Sequence, residues 1–116
     1  MTISGLRNDQ GVLRLVLCPA GHGFPDCGHD GVAQVAAIRD RGGTASFSAV
    51  APGRYAIAVF HDENRNGKLD TFMGIPKEGY GFSLNPPVEM HAPHFAECQF
   101  DVAADVALTI RMHYLL

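Results

Sequence analysis

"PGRYAIAVF", Pro52 to Phe60, decides the fold. Pro52-Gly53 signals a turn, and the residues after it favour extended backbone. Tyr55, Ile57 and Val59 point one way; Ala56, Ala58 and Phe60 point the other. Both faces are apolar, so the sequence predicts a central strand covered on both sides. Upstream, "TASFSAV" places Ala45, Phe47 and Ala49 on one face of a strand. It follows a hairpin turn at "RGG", Arg41 to Gly43. "VAQVAAIRD", Val32 to Asp40, is read as a strand, because so short a run without a good cap makes a weak helix. Residues 19–31 are rich in glycine and proline and predict a loop. "VLRLVLC", Val12 to Cys18, alternates as a strand, "NDQG" is a turn, and "TISGLR" is a further strand. Downstream, "FAECQFDV" and "VALTIRMHYLL" read as the last two strands. In the latter, Val106, Leu108, Ile110 and Met112 share a face.

About seven short strands without a convincing helix predict an all-β fold, an antiparallel β-sandwich. The expected core includes Leu15, Leu17, Ile57, Val59, Phe100, Leu108 and Ile110. At 116 residues the chain is read as a single domain, residues 1–116. Apolar residues make up 47% and charged residues 18%, which argues against disorder. The net charge of −3 and the lack of a basic cluster argue against nucleic acid as a partner. No apolar run approaches a membrane span of about 20 residues. Met1 runs abruptly into strand-like sequence, so the natural chain is expected to begin upstream.

The central strand runs into "HDENRNGKLD", His61 to Asp70. With Asp62 as position 1, Asn64 falls at 3, Asn66 at 5, Gly67 at 6, Lys68 at 7 and Asp70 at 9. Calcium takes six to eight oxygens, and a tight loop supplies them at alternate positions. Glycine at position 6 permits the sharp turn, and Lys68 offers its backbone carbonyl. The match departs from the full EF-type pattern at position 12, where Met73 replaces a bidentate glutamate. The flanks also favour a strand before the loop and a break at Gly74 and Pro76 after it. The prediction is therefore an EF-like calcium loop hung on a strand, at residues 62–70. A long irregular segment, 71–93, follows it. Glu78 is the candidate to reach back and complete the shell, against the alternative of water or a backbone carbonyl. The predicted metal residues are Asp62, Asn64, Asn66, Lys68, Asp70 and Glu78, the cofactor is calcium, and Kd is on the order of 10⁻⁴ M.

The block Pro52 to Ser83, "PGRYAIAVFHDENRNGKLDTFMGIPKEGYGFS", resembles the signature of the bacterial domain of unknown function 2141 family. "GFP" at Gly23 to Pro25 and the last strand ending in Tyr114 extend the resemblance over most of the chain. It implies a small β-sandwich of transthyretin-like or Ig-like character, made with a secretion signal, and implies no assigned activity. The loop is also similar to calcium loops in the B-type repeats of Gram-positive surface adhesins, which have a glutamate at position 12.

The three cysteines fit neither a full disulfide framework nor a paired zinc motif. Cys18 and Cys27 bracket a loop that a disulfide can close in an oxidising compartment; in cytosol all three are expected free. Cys18, His22, Cys27 and His29, with His91 and His94, suggest zinc or copper, but no spacing matches a structural zinc site. His61 and Asp62 are neighbours on a strand and point apart, so they make a poor catalytic pair. Tyr80 and Phe82 offer either a binding platform or a cover for one end of the sandwich. The functional expectation is a periplasmic or extracellular calcium-binding module with a non-catalytic binding or scaffold role, whose partner is an unknown protein or carbohydrate. The alternative is an enzyme, or a zinc- or copper-handling protein, working through the histidines of residues 61–94.

Overall fold

The longest strand is the one that the alternation of Tyr55 to Phe60 predicts. The computed structural model describes residues 1–21, 24, 27, 31–67, 71–72, 75–87 and 93–115, with 71, 72 and 75 described by backbone alone. In chain order the elements are β1 (Thr2–Ser4), β2 (Val12–Pro19), β3 (Val32–Ala36), β4 (Gly43–Thr44), β5 (Gly53–Asp62), β6 (Thr71–Phe72), β7 (Ile75–Pro76) and β8 (Tyr80–Phe82). A single helical turn, α1 (Phe95–Cys98), β9 (Phe100–Val102) and β10 (Thr109–Arg111) complete them. The fold is all-β.

One sheet has the order β3-β2-β5-β8, and a second has β10-β1-β4. β5 pairs along its length with β2, in the register Leu15↔Val59 and Leu17↔Ile57. Its other edge is shared: β9 pairs with Gly53–Tyr55, and β8 with Ala58–Phe60. This register aligns Leu13, Leu15 and Leu17 with His61, Val59 and Ile57 on the inner face. Ile3 and Ile110 of the second sheet join them in one buried core. Apolar burial of this kind is the main driving force of folding. A backbone bridge between Tyr80 and His113 ties the two sheets along one side.

Several details differ from the sequence expectation. β1 and β10 pair in parallel, Ile3 beside Ile110, because the first and last strands enter the sheet in the same direction. "FAECQFDV" begins as α1, where the Ser83 hydroxyl donates to the Cys98 carbonyl and the ladder starts only at Phe100. "TASFSAV" joins the ladder at Thr44, with one further backbone bond from the Ala45 N–H to the Met1 carbonyl, and Ala49 lies in the left-handed region at φ 58°. The segment read as irregular also contains the short strands β6, β7 and β8. The turn before β4 has Asp40 and Arg41 at φ 53° and 59°, the signature of a type I′ hairpin.

Of the seven expected core residues, Leu15, Leu17, Ile57, Val59 and Ile110 are buried, while Phe100 and Leu108 are only partly buried. Ile57 is 2% exposed but borders an open cavity. Ile57→Ala is expected to cost roughly 2–3 kcal/mol in urea unfolding, the lower part of the usual large-to-small range. An unchanged midpoint would mean that β5 is not central to stability.

Candidate functional site

The loop begins where β5 ends. His61 faces the inner side of the sheet and Asp62 the outer side, as strand alternation requires. They therefore serve separate networks. His61 is fully buried; its Nε2 lies 2.6 Å from the Gln10 carbonyl, which only accepts, so Nε2 carries the proton. Nδ1 then accepts from the Tyr114 hydroxyl at 2.8 Å, and that oxygen accepts the Arg7 N–H. The Arg7 guanidinium lies over the Tyr114 ring, 4.7 Å from its centroid. With both nitrogens engaged inside the protein, His61 is a structural histidine.

Asp62 is a carboxylate with no solvent exposure. Oδ2 accepts from Arg14 Nε at 2.6 Å and from the Gly67 N–H at 2.9 Å; Oδ1 accepts from the Asn66 N–H at 3.1 Å. The Asn64 side-chain oxygen also accepts from the Asn66 N–H. Arg65 and Gly67 lie at φ 58° and 78°, and these left-handed residues curl the chain back around Asp62. Glycine takes that conformation without steric cost. Burial alone would raise the Asp62 carboxyl. Arg14 and the two loop N–H groups outweigh it and hold it below the usual carboxylate range.

Glu78 is buried, and its Oε2 accepts from the Glu63 N–H at 2.7 Å, one residue from Asp62. Neighbouring backbone bonds hold it there. Arg7 donates to the Lys77 carbonyl, and the His61 N–H donates to the Gly79 carbonyl at 2.8 Å. The Glu63 side chain forms an ion pair with Arg7 and accepts from Asn8 at 2.8 Å. Burial pushes the Glu63 carboxyl up, but these two partners bring it below its ordinary value.

The structure thus brings Asp62, Asn64, Asn66 and Glu78 around one loop. Lys68 and Asp70, like Met73, lie outside the described residues. Among the described residues no three of His, Cys, Asp and Glu converge as a metal-holding group. What sequence reasoning missed is Arg14, the counter-ion of Asp62. Its only signal was a charge within the otherwise apolar "VLRLVLC". Cys18 and Cys27 form a disulfide, so neither thiolate is free for zinc or copper. His22, His29 and His91 lie outside the described residues. The Cys98 thiol is buried, which pushes its pKa up to about 11 and leaves it a poor nucleophile. Tyr80 and Phe82 are half-buried on β8, where Phe82 packs edge-on against Phe24, which in turn packs against Phe95. They cover the sheet instead of standing free as a platform.

The fold and this loop define a class: a small all-β sandwich with buried carboxylates gathered where its longest strand ends. The chain belongs to the bacterial family described as "Uncharacterized protein conserved in bacteria (DUF2141)", whose sequence model matches residues 1–110. No curated protein and no solved structure matches the chain. No helix among the described residues is long and apolar enough to cross a membrane.

Proposed function

We propose that this chain is a secreted calcium-binding module with a non-catalytic binding or scaffold role at the bacterial cell envelope. The observation that supports it most is the burial of two carboxylates, Asp62 within the loop and Glu78 on the Glu63 N–H beside it, where oxygen-bearing side chains recur at alternate positions. Glu78 lies outside the loop in sequence, and its carboxylate accepts from the Glu63 N–H within it. It supplies the carboxylate that Met73 cannot, since a thioether is a poor ligand for a hard cation. With Asp70, the set carries three negative charges; Arg14 offsets one, leaving a balance suited to a divalent ion. Oxygen ligands from side chains and carbonyls favour calcium over magnesium, which keeps most of its waters. The Cys18–Cys27 disulfide supports an oxidising, extracytoplasmic compartment.

Thermal melting and calorimetry test the reading. At free calcium tenfold above Kd the stability gain is about 1.4 kcal/mol, or about 5 °C in melting temperature for a chain of this size. Glu78→Gln and Asp70→Asn should each weaken calcium binding. If Glu78→Gln binds like the wild type while Asp70→Asn is weakened, Glu78 is not a ligand. Identical melts in calcium and in chelator would leave the loop a polar turn. Stoichiometric zinc or copper in the untagged protein would favour a metal-handling role instead.

A further inference from the structure

Toward the opposite end of β5 the described residues leave the sandwich open. A cavity of about 550 Å³ lies there, with Leu17 and Ile57 among its lining residues. Ile57 in the cavity wall stands five residues before Asp62 on β5, so the nearest wall lies about 16 Å from the start of the loop at roughly 3.3 Å per residue. Three apolar stripes that alternation assigns to the core run past the closed sandwich into it. The stripe of β10 is buried at Ile110 and Met112, but Leu108 is half-buried and Val106 is 43% exposed, and both line the cavity. Phe100 lines it from β9 and Phe47 from the segment after β4, each partly buried. These side chains have the sequence pattern of an interior, and the described residues supply no final layer to enclose them. Ala49, held at φ 58°, lines the same cavity; a non-glycine residue in that region is strained unless its surroundings hold it.

We propose that this cavity is a binding site for a small uncharged apolar molecule with a hydroxyl or ether end, of the size of a medium-chain alcohol or a bicyclic hydrocarbon. The volume falls in the range of small-molecule sites, and the concave wall suits a molecule that enters it more than a flat partner surface. The charge of the wall selects the class. Among the described residues no lysine, arginine or histidine lines it, and Asp105 is its one charged side chain. The Met1 backbone nitrogen donates to the Ala45 carbonyl, 2.7 Å away. A carboxylate or phosphate head would meet Asp105 without a cationic side chain to offset it. Ser46 and Ser48 offer hydroxyl groups for a neutral polar end.

The test uses N-phenyl-1-naphthylamine, an uncharged probe that brightens in apolar surroundings. Saturable one-to-one binding with Kd on the order of 10 μM is expected. 1-Decanol should displace the probe at least ten times more effectively than decanoate. Ala104→Trp places an indole at the lip, where Ala104 is exposed, and should weaken probe binding at least tenfold with an unchanged melting temperature. Val35→Trp, on the exposed face of β3, should leave binding unchanged. Absence of saturable binding, equal binding by Ala104→Trp, or equal displacement by decanoate would overturn the proposal. So would sedimentation showing that a second copy of the chain fills the cavity and excludes the probe. Calcium addition and Asp62 variants report on the far end of β5, so the two sites succeed or fail separately.

Discussion

Gly11→Ala is expected to destabilise the protein by roughly 3–5 kcal/mol. Gly11 lies at φ 71°, a conformation that costs an L-residue about 1 kcal/mol or more. Lack of space costs more. A Cβ at Gly11 would overlap the Asp62 carbonyl oxygen and stand 2.7 Å from Glu63 Cα. Both are backbone atoms at the junction of β5 and the loop, so no side-chain rotation relieves the overlap. The 8–11 turn would have to move, and it carries the Gln10 carbonyl that accepts from His61 and the Asn8 amide that donates to Glu63. Leaving the buried His61 ring nitrogen without its acceptor costs about 1–3 kcal/mol. Gly21→Ala is the control. Gly21 lies at φ 85° with no described atom within 4 Å of its Cβ position, so only the backbone strain of about 1 kcal/mol remains. Urea unfolding of the two variants side by side makes the comparison. Equal losses would mean that the turn does not pack tightly against the loop.

Alternation made β2, β5 and their shared inner face legible, because each strand buries one face against the same core and a slip of one residue would expose Leu13, Leu15 and Leu17 together. The parallel pairing of β1 with β10 was not legible. Alternation fixes which face of a strand is buried and says nothing of which edge it joins or in which direction. α1 was missed because four residues are too few to show helical periodicity; its turn is held by the Glu97 carboxylate, which accepts from the His94 N–H. β8 was hidden by its central Gly81 and by Gly79 just before it. Gly81 faces Ile110 Cγ2, where an added Cβ would come within 2.8 Å, so the residue that looks like loop composition is a close approach between the sheets.

The loop was more legible than its surroundings. Local spacing specified Asp62, Asn64, Asn66 and Gly67, and the curl that Arg65 and Gly67 produce is local too. Glu78 was read as a calcium ligand from what the loop lacks at position 12; what the structure shows of it is a carboxylate that accepts from the Glu63 N–H. Arg14 was beyond local reading. It meets Asp62 because β2 and β5 pair with Val12 beside Asp62, which sets Arg14 two residues along on the same outer face. The open cavity was equally invisible: periodicity marks Leu108 and Phe100 as core whether or not anything covers them.

Asp62→Asn should cost roughly 2–4 kcal/mol at neutral pH in the presence of chelator. The carboxylate accepts three hydrogen bonds, two at Oδ2 and one at Oδ1. An amide can keep one oxygen as acceptor, but its NH₂ must then face either Arg14 and the Gly67 N–H or the Asn66 N–H. Donor meets donor in both orientations, and solvent gives no relief, since Asp62 has no exposure to it. The Arg14 side chain is 31% exposed and regains part of its hydration, which keeps the cost below that of a fully buried broken pair. The pH dependence distinguishes this from a packing defect. The Asp62 carboxyl is held below its ordinary value in the folded protein, so it binds a proton more readily in the unfolded chain. Its stabilisation is fully present above the unfolded value of about 3.9 and is lost as pH falls through the lower folded value. The wild type should therefore lead Asp62→Asn by a constant margin from about pH 5.5 to 8, and the margin should narrow steadily below about pH 4. Glu63 titrates low in both proteins and steepens both acid limbs without closing the gap. A margin that persists undiminished to the acid limit would assign the loss to shape alone. If calcium binds as proposed, adding it at neutral pH widens the margin, because the wild type gains binding energy that the amide variant has largely lost.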